Sequence, residues 1–182
     1  MWKSGTGKST LARIITWEKK VGEKMIYHKH EDISKYSDEE MQTYRRKMWI
    51  IFQDYKLIEY MTVKENIIYP LVLYGVGESI IEARYKKLQQ KYNISHLENL
   101  EVKFLSVWEK QKVSLARSLI HDPEFIIADE PTGNLDREHS QTIWDLLIES
   151  NKNGNTVLLI THDIHLVNYL KKKYSVRLEM LG

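Results

Sequence analysis

The chain contains no cysteine, which removes both a disulfide framework and a thiolate metal site and makes a reducing cytosol its natural compartment. It also lacks an excess of charge of either sign. Its 27 basic residues are set against 25 acidic ones, for a formal net charge of +2, and the two signs are interspersed. A nucleic-acid footprint needs clustered Lys and Arg, so no nucleic-acid partner is expected, and short runs such as Lys171-Lys172-Lys173 read as solvated surface. Long apolar runs are missing as well. The longest, Ile67-Ile68-Tyr69-Pro70-Leu71-Val72-Leu73-Tyr74, carries a proline and falls far short of the roughly 20 residues that a spanning helix requires. The first residues do not read as a signal peptide, because Lys3, Lys8 and Arg13 interrupt them. Any membrane role is expected to come through a partner.

At 182 residues, 42% of them hydrophobic and 29% charged, the chain can bury one good core. Short apolar stretches alternate with helical ones: 49–52, 125–129, 156–161 and 176–180 read as strands. That alternation predicts an α/β fold with a mainly parallel sheet flanked by helices. From Thr62 to His121 the pattern is helical throughout, so residues 62–121 are expected to form a helical insert, with 1–61 and 122–182 making the core. Three capping boxes predict helix starts: Ser37-Asp38-Glu39-Glu40, Thr62-Val63-Lys64-Glu65 and Ser106-Val107-Trp108-Glu109. In each, a hydroxyl and a carboxylate satisfy each other's free backbone donors.

Two segments carry chemistry. Gly5-Thr6-Gly7-Lys8-Ser9-Thr10 has the physics of a phosphate-binding loop. Small residues let backbone N–H groups curl round phosphates, Lys8 reaches the outer phosphates, Ser9 ligates magnesium, and the helix-compatible stretch from Leu11 offers its positive end. Ser4, Gly5, Thr6, Gly7, Lys8, Ser9 and Thr10 are therefore the candidate nucleotide-binding residues. Alone, the hexapeptide is also compatible with an ordinary Gly/Ser/Thr turn. The second segment, Phe125-Ile126-Ile127-Ala128-Asp129-Glu130, is an apolar strand that ends in two carboxylates. Asp129 would hold magnesium directly or through water, and Glu130 would orient and deprotonate an attacking water. Alone, it too is compatible with a surface acidic pair, but the two segments together in an α/β chain point to a nucleotide hydrolase.

With these residues in place the chain resembles the ATP-binding cassette (ABC) ATPases over its whole length. ADEPTGNLD, residues 128–136, matches the family's Walker B and D-loop region, with Asp136 as the D-loop aspartate. Gln53, after WIIFQ, matches the glutamine loop. His162, in LLITHD, matches the switch histidine, and LSVWEKQKVSLARSL, residues 105–119, stands where the family carries its signature. The resemblance implies a P-loop (RecA-like) core, ATP and Mg2+ as ligands, and Gln53 sensing metal and water. It also implies His162 at the γ-phosphate, and Ser106 and Asp136 acting at a nucleotide-driven homodimer interface. FQDYKL and ADEPTGNLD look most like the FtsE branch that serves cell division, with lipoprotein-release and macrolide-export branches close by. That branch implies an integral membrane partner, FtsX-like or a permease, and a place at the inner face of the membrane.

Two departures qualify the resemblance. Trp2 replaces the first loop glycine, and the strand and N-terminal β-subdomain that bring the family's adenine-stacking aromatic are missing, as expected of a fragment or internal start. Val107 and Trp108 replace the signature's glycine pair, which in the family permits close approach to the partner subunit's nucleotide. Glycine suits such approach because it has no Cβ, so weak hydrolysis is expected. Three readings follow: an ATPase subunit of a membrane complex, a hydrolysis-deficient module that responds to nucleotide, and a soluble ABC-type protein working on ribosomes or DNA, which the charge balance disfavours.

Overall fold

The computed structural model describes residues 8–174 apart from 21, 24 and 29, so the strand expected at 176–180 and the loop residues Ser4 to Gly7 lie outside the described residues. Its centre is a three-stranded parallel sheet in the order β3 (Met48–Ile51), β4 (Phe125–Asp129), β5 (Thr156–Ile160). Met48 pairs with Phe125, and Phe125 with Thr156. The first of these strands begins one residue earlier than its apolar pattern suggests and ends at Ile51, because Phe52 already belongs to the turn that its carbonyl closes with the Tyr55 N–H at 3.1 Å. A two-residue antiparallel pair, β1 (Tyr27–His28) and β2 (Glu31–Asp32), stands apart from this sheet.

Side chains on a strand alternate between faces, and here both faces are covered. Trp49, Ile51, Ile126, Ala128, Val157 and Leu159 face one cluster with residues of α3 (Val63–Leu73), α4 (Glu78–Lys91), α5 (Val107–Leu119) and α6 (Arg137–Lys152). On the other face, Ile127 and Ile160 are buried under Ala12 of α1 (Lys8–Ile15), and Met48 under Met41 and Tyr44 of α2 (Asp38–Arg46). Full burial on both sides explains the unbroken apolar run of β4. Each fully buried isoleucine there contributes about 1.5–3 kcal/mol.

Ala12 lies over Ile127 and Ile160, towards the strand ends, whereas Ile15 reaches the cluster of Met48 and Phe125 at the strand starts. The first helix thus runs antiparallel to the strands, with its N-terminus at their carboxyl ends. All three capping boxes are formed, at Ser37, Thr62 and Ser106. Between Thr62 and His121 the described elements are helices joined by turns, with one bridge between Thr62 and Glu101. That stretch is tied to the preceding loop by fully buried Asn66, whose amide accepts from the Ile58 N–H at 2.8 Å and donates to the Ile58 carbonyl at 2.9 Å.

His121 follows α5 and packs on Trp49 and Tyr74, with ring centroids 5.0 and 6.3 Å away. Burial, helped by the positive Arg84, pushes its imidazole down to about 4 against the opposing pull of the Met48 backbone and Asp122. A depressed histidine leaves the unfolded chain binding the extra proton first, so its stabilisation is full above pH 6.5 and drains away as pH falls towards 4. Urea unfolding of wild type should lose about 2–3 kcal/mol across that window. His121→Phe should show a clearly flatter profile between pH 6.5 and 4.5; equal slopes would exclude His121 as the cause.

Candidate functional site

Three strands deliver their chain ends to one place. β4 stops at Asp129, which shares strand parity with Phe125 and Ile127 and so lies on the face that α1 covers. One residue on, the Glu130 N–H donates to the Ile160 carbonyl at 2.9 Å, which extends the β4–β5 ladder past its last strand pair. Glu130 has φ 47°, a left-handed conformation uncommon for a side chain of its size and tolerated where the surroundings enforce it. That turn sets its carboxylate beside the segment after β5. Thr161 Oγ1 donates to Glu130 Oε2 at 3.2 Å, and His162 Nδ1 lies 2.6 Å from Oε1.

The Glu130 side chain is 14% exposed and that of His162 is 63% exposed. The pair is therefore a covered carboxylate with an imidazole lid open to solvent. Where Glu130 accepts this hydrogen bond, His162 donates it through Nδ1, and Nε2 is the ring nitrogen left for another partner. Asp163 holds the segment by capping α7 (Ile164–Lys173), accepting from the His165 N–H at 2.8 Å.

Gln53 sits two residues beyond β3 and is exposed. Its carbonyl accepts from Asn134 Nδ2 at 3.1 Å, so the loop after Glu130 holds it. Gly133 fits this approach because a Cβ there would lie 2.9 Å from Gln53 Nε2. Lys8, Ser9 and Thr10 form the first turn of α1, at the same end of the sheet. Asp129, Glu130, His162, Gln53 and that helix N-terminus thus share the carboxyl edge, where ligands of open parallel sheets bind.

Ser106 and Asp136 form a second group. Ser106 caps α5, with its Oγ donating to Glu109 Oε2 at 2.6 Å. Asp136 caps α6, accepting from the His139 N–H at 2.9 Å with its other oxygen 2.7 Å from His139 Nδ1. Hydrogen bonds from the backbone and ring of His139 hold the Asp136 carboxyl below its ordinary range. Trp108 stacks on His139 with ring centroids 4.6 Å apart and planes tilted by 38°, so the two helix starts meet within one chain.

Comparison with known proteins decides the family. The ABC transporter family model matches residues 2–133. The chain is 38% identical over 170 residues to the cell division ATP-binding protein FtsE of Bacillus subtilis, covering 93% of this chain and 75% of that protein. This chain belongs to the ABC transporter family. FtsE of Haemophilus influenzae is 36% identical, with 93% of this chain and 78% of that one covered. The methionine import ATP-binding protein MetN 1 of Bacillus cereus is also 36% identical, over 95% of this chain but 50% of its own. A dimeric ATP-binding cassette solved in a post-hydrolysis state with ADP and Pi superposes with a TM-score of 0.79 at 30% identity, covering 92% of this chain and 75% of that one. The cbiO1 cassette of Clostridium perfringens gives 0.81 at 29%, covering 93% and 68%.

The ABC fold expected from the sequence is therefore present, with a parallel sheet at its core. Thr161, Asn134 and His139 also touch the predicted site residues. Thr161 and Asn134 lie in the matched motifs LLITHD and ADEPTGNLD, which was the available signal; His139 carried none beyond its distance from Asp136. Gly133→Ala should move the exposed Gln53 amide while changing the unfolding free energy by less than about 1 kcal/mol. A side-chain amide NMR shift for Gln53 with an unchanged urea midpoint would meet the expectation; an unmoved resonance would not.

Proposed function

We propose that the chain is the ATP-binding and ATP-hydrolysing subunit of an ABC-type membrane complex in cell division, acting as a nucleotide-driven pair of copies on an FtsX-like or permease partner at the inner membrane face. The observation that carries this is the Glu130–His162 pair, 2.6 Å apart, at the sheet edge where α1 begins. Similarity to the FtsE proteins supports the cell-division assignment, and no described helix is long and apolar enough to cross a membrane, which suits a subunit that docks on one. In this reading residues 62–121 form the helical subdomain that carries Ser106, and 1–61 with 122–182 form the nucleotide core.

The donor set suits magnesium, which keeps several waters and takes one or two carboxylates plus phosphate oxygens rather than an all-protein cage. Asp129 and the Ser9 hydroxyl would hold it, with Gln53 as a further contact. Bound there, the metal would draw charge from the outer phosphates. Ser4 to Thr10 bind the phosphates, Lys8 adding positive charge. Glu130 orients a water and takes its proton, and His162 fixes that carboxylate through Nδ1 while leaving Nε2 for another partner. Ser106 and Asp136 serve the interface between copies.

Val107 and Trp108 slow the cycle, because an indole stands where close backbone approach is needed. The stack of Trp108 on His139 also favours a second reading, a hydrolysis-deficient module that binds nucleotide and a membrane protein. Glu130→Gln separates the two: in the ATPase, phosphate release stops and ATP remains bound, whereas in the module neither changes. Replacing Val107 and Trp108 together by glycine should raise turnover about a hundredfold, on the order of one transition-state hydrogen-bond donor regained. Equal phosphate release by the glycine variant and wild type would remove the blocked-clamp explanation.

A further inference from the structure

The turn after Gln53 contains two successive non-glycine residues in the left-handed region, Tyr55 at φ 62° and Lys56 at φ 47°. Each such residue costs energy and persists only where neighbours over-determine it. Its own hydrogen bonds, from the Tyr55 N–H to Phe52 and from the Lys56 N–H to Asp54, and the exposed Lys56–Asp54 ion pair at 2.6 Å are local and weakly restraining.

A further restraint comes from α5, about 60 residues away in sequence. Arg117 donates from one terminal nitrogen to the Lys56 carbonyl and from the other to the Tyr55 carbonyl, both at 2.8 Å. Ser114, one turn earlier, donates to the same Tyr55 carbonyl at 3.3 Å. Arg117 is 7% exposed and lies over Trp49, 5.7 Å from its ring. No described carboxylate forms an ion pair with it, and burial lowers its pKa to about 10. A buried guanidinium is costly, and here its planar fork is directed at the two carbonyls of the left-handed pair. The geometry suits arginine in particular, since a lysine at this place cannot present two donors in fixed register.

We propose that Arg117 is a positioning residue: it clamps the Tyr55–Lys56 turn from the signature helix, and the clamp keeps Gln53 against Gly133 and Asn134. The guanidinium touches neither nucleotide nor the reacting water in this scheme; it acts only through the turn. The Gln53 carbonyl, three residues or fewer from both clamped carbonyls, then meets Asn134 at a fixed place. This role rests on the reading of Gln53 as part of the nucleotide site, although the clamp itself does not.

The test compares full-length wild type, Arg117→Lys, Lys56→Gly and the double variant, using two readouts. Amide hydrogen exchange of the segment 52–56 should quicken at least tenfold in Arg117→Lys relative to the change in α6, and should return towards wild type when Lys56→Gly removes the side chain that the left-handed conformation disfavours. The kcat for ATP should fall about tenfold with KM within twofold, and should recover in the double variant. Unchanged exchange at 52–56, a change no larger than that of α6, or no rescue by Lys56→Gly overturns the clamp. If exchange behaves as expected but wild type releases no phosphate from ATP, the clamp stands and the ATPase reading falls.

Discussion

The hydrogen bond from the Glu130 N–H to the Ile160 carbonyl is the constraint on which the site depends. Without it, Glu130 would be free to follow the chain into the loop. With it, Glu130 is fixed in a left-handed conformation and its carboxylate is carried sideways onto Thr161 and His162. The strain is tolerable because β4 is packed on both faces: Ile126, Ile127 and Ala128 are fully buried between two helical layers. A tightly packed strand resists small shifts, so the pair of carboxylates at its end inherits the rigidity of the core. Placing reactive groups on rigid elements is what holds them within the tolerance that chemistry demands.

The other predicted site residues are held by different means. Gln53 hangs from a turn whose unusual backbone is fastened to α5 on one side and to Asn134 on the other. Asp136 and Ser106 are caps, so their oxygens already serve backbone donors of their own helices. A capping oxygen is directed along the helix axis, which fixes its place, yet it retains lone pairs for a further partner. The site thus combines a strand end fixed by core packing with turn and cap residues fixed by hydrogen bonds.

Much of this was legible in the sequence because its signals are local. Each of Ser37, Thr62 and Ser106 has its Glu partner three residues on, and that spacing alone closes a capping box. The strand β4 was visible as an apolar run ending in acid. Three things were not visible. The β1–β2 pair has only Tyr27, His28, Glu31 and Asp32, too short and too polar to show alternation. The left-handed turn at Tyr55 and Lys56 has no glycine or asparagine to announce it. Arg117 and Asn66 spend their side chains on backbone carbonyls elsewhere in the chain, and a carbonyl has no residue identity for a sequence pattern to reveal. The family motifs supplied what spacing could not: they assigned Gln53 and His162 before any contact joined them to the strand ends.

The substituted signature poses a sharper energetic question. Trp108 stacks on His139 and lies beneath the Lys112 ammonium, 5.4 Å from its ring. An aromatic pair contributes about 0.5–1.5 kcal/mol beyond its buried area, and an exposed cation–π contact about 0.5–1 kcal/mol. Together these amount to about 1–2.5 kcal/mol, or about one to two factors of ten in an equilibrium. Breaking such a stack would slow or weaken a two-copy closure of the proposed kind without forbidding it. A side chain wedged into the gap between copies is different, since it removes close approach altogether unless it swings aside. The stack supplies a place to swing to: with the indole laid on His139, it lies against its own chain's α6. The same contact that latches Trp108 onto its own chain therefore also keeps the indole clear of the gap, so the substituted signature hinders a two-copy closure of the proposed kind by no more than the stability of that stack.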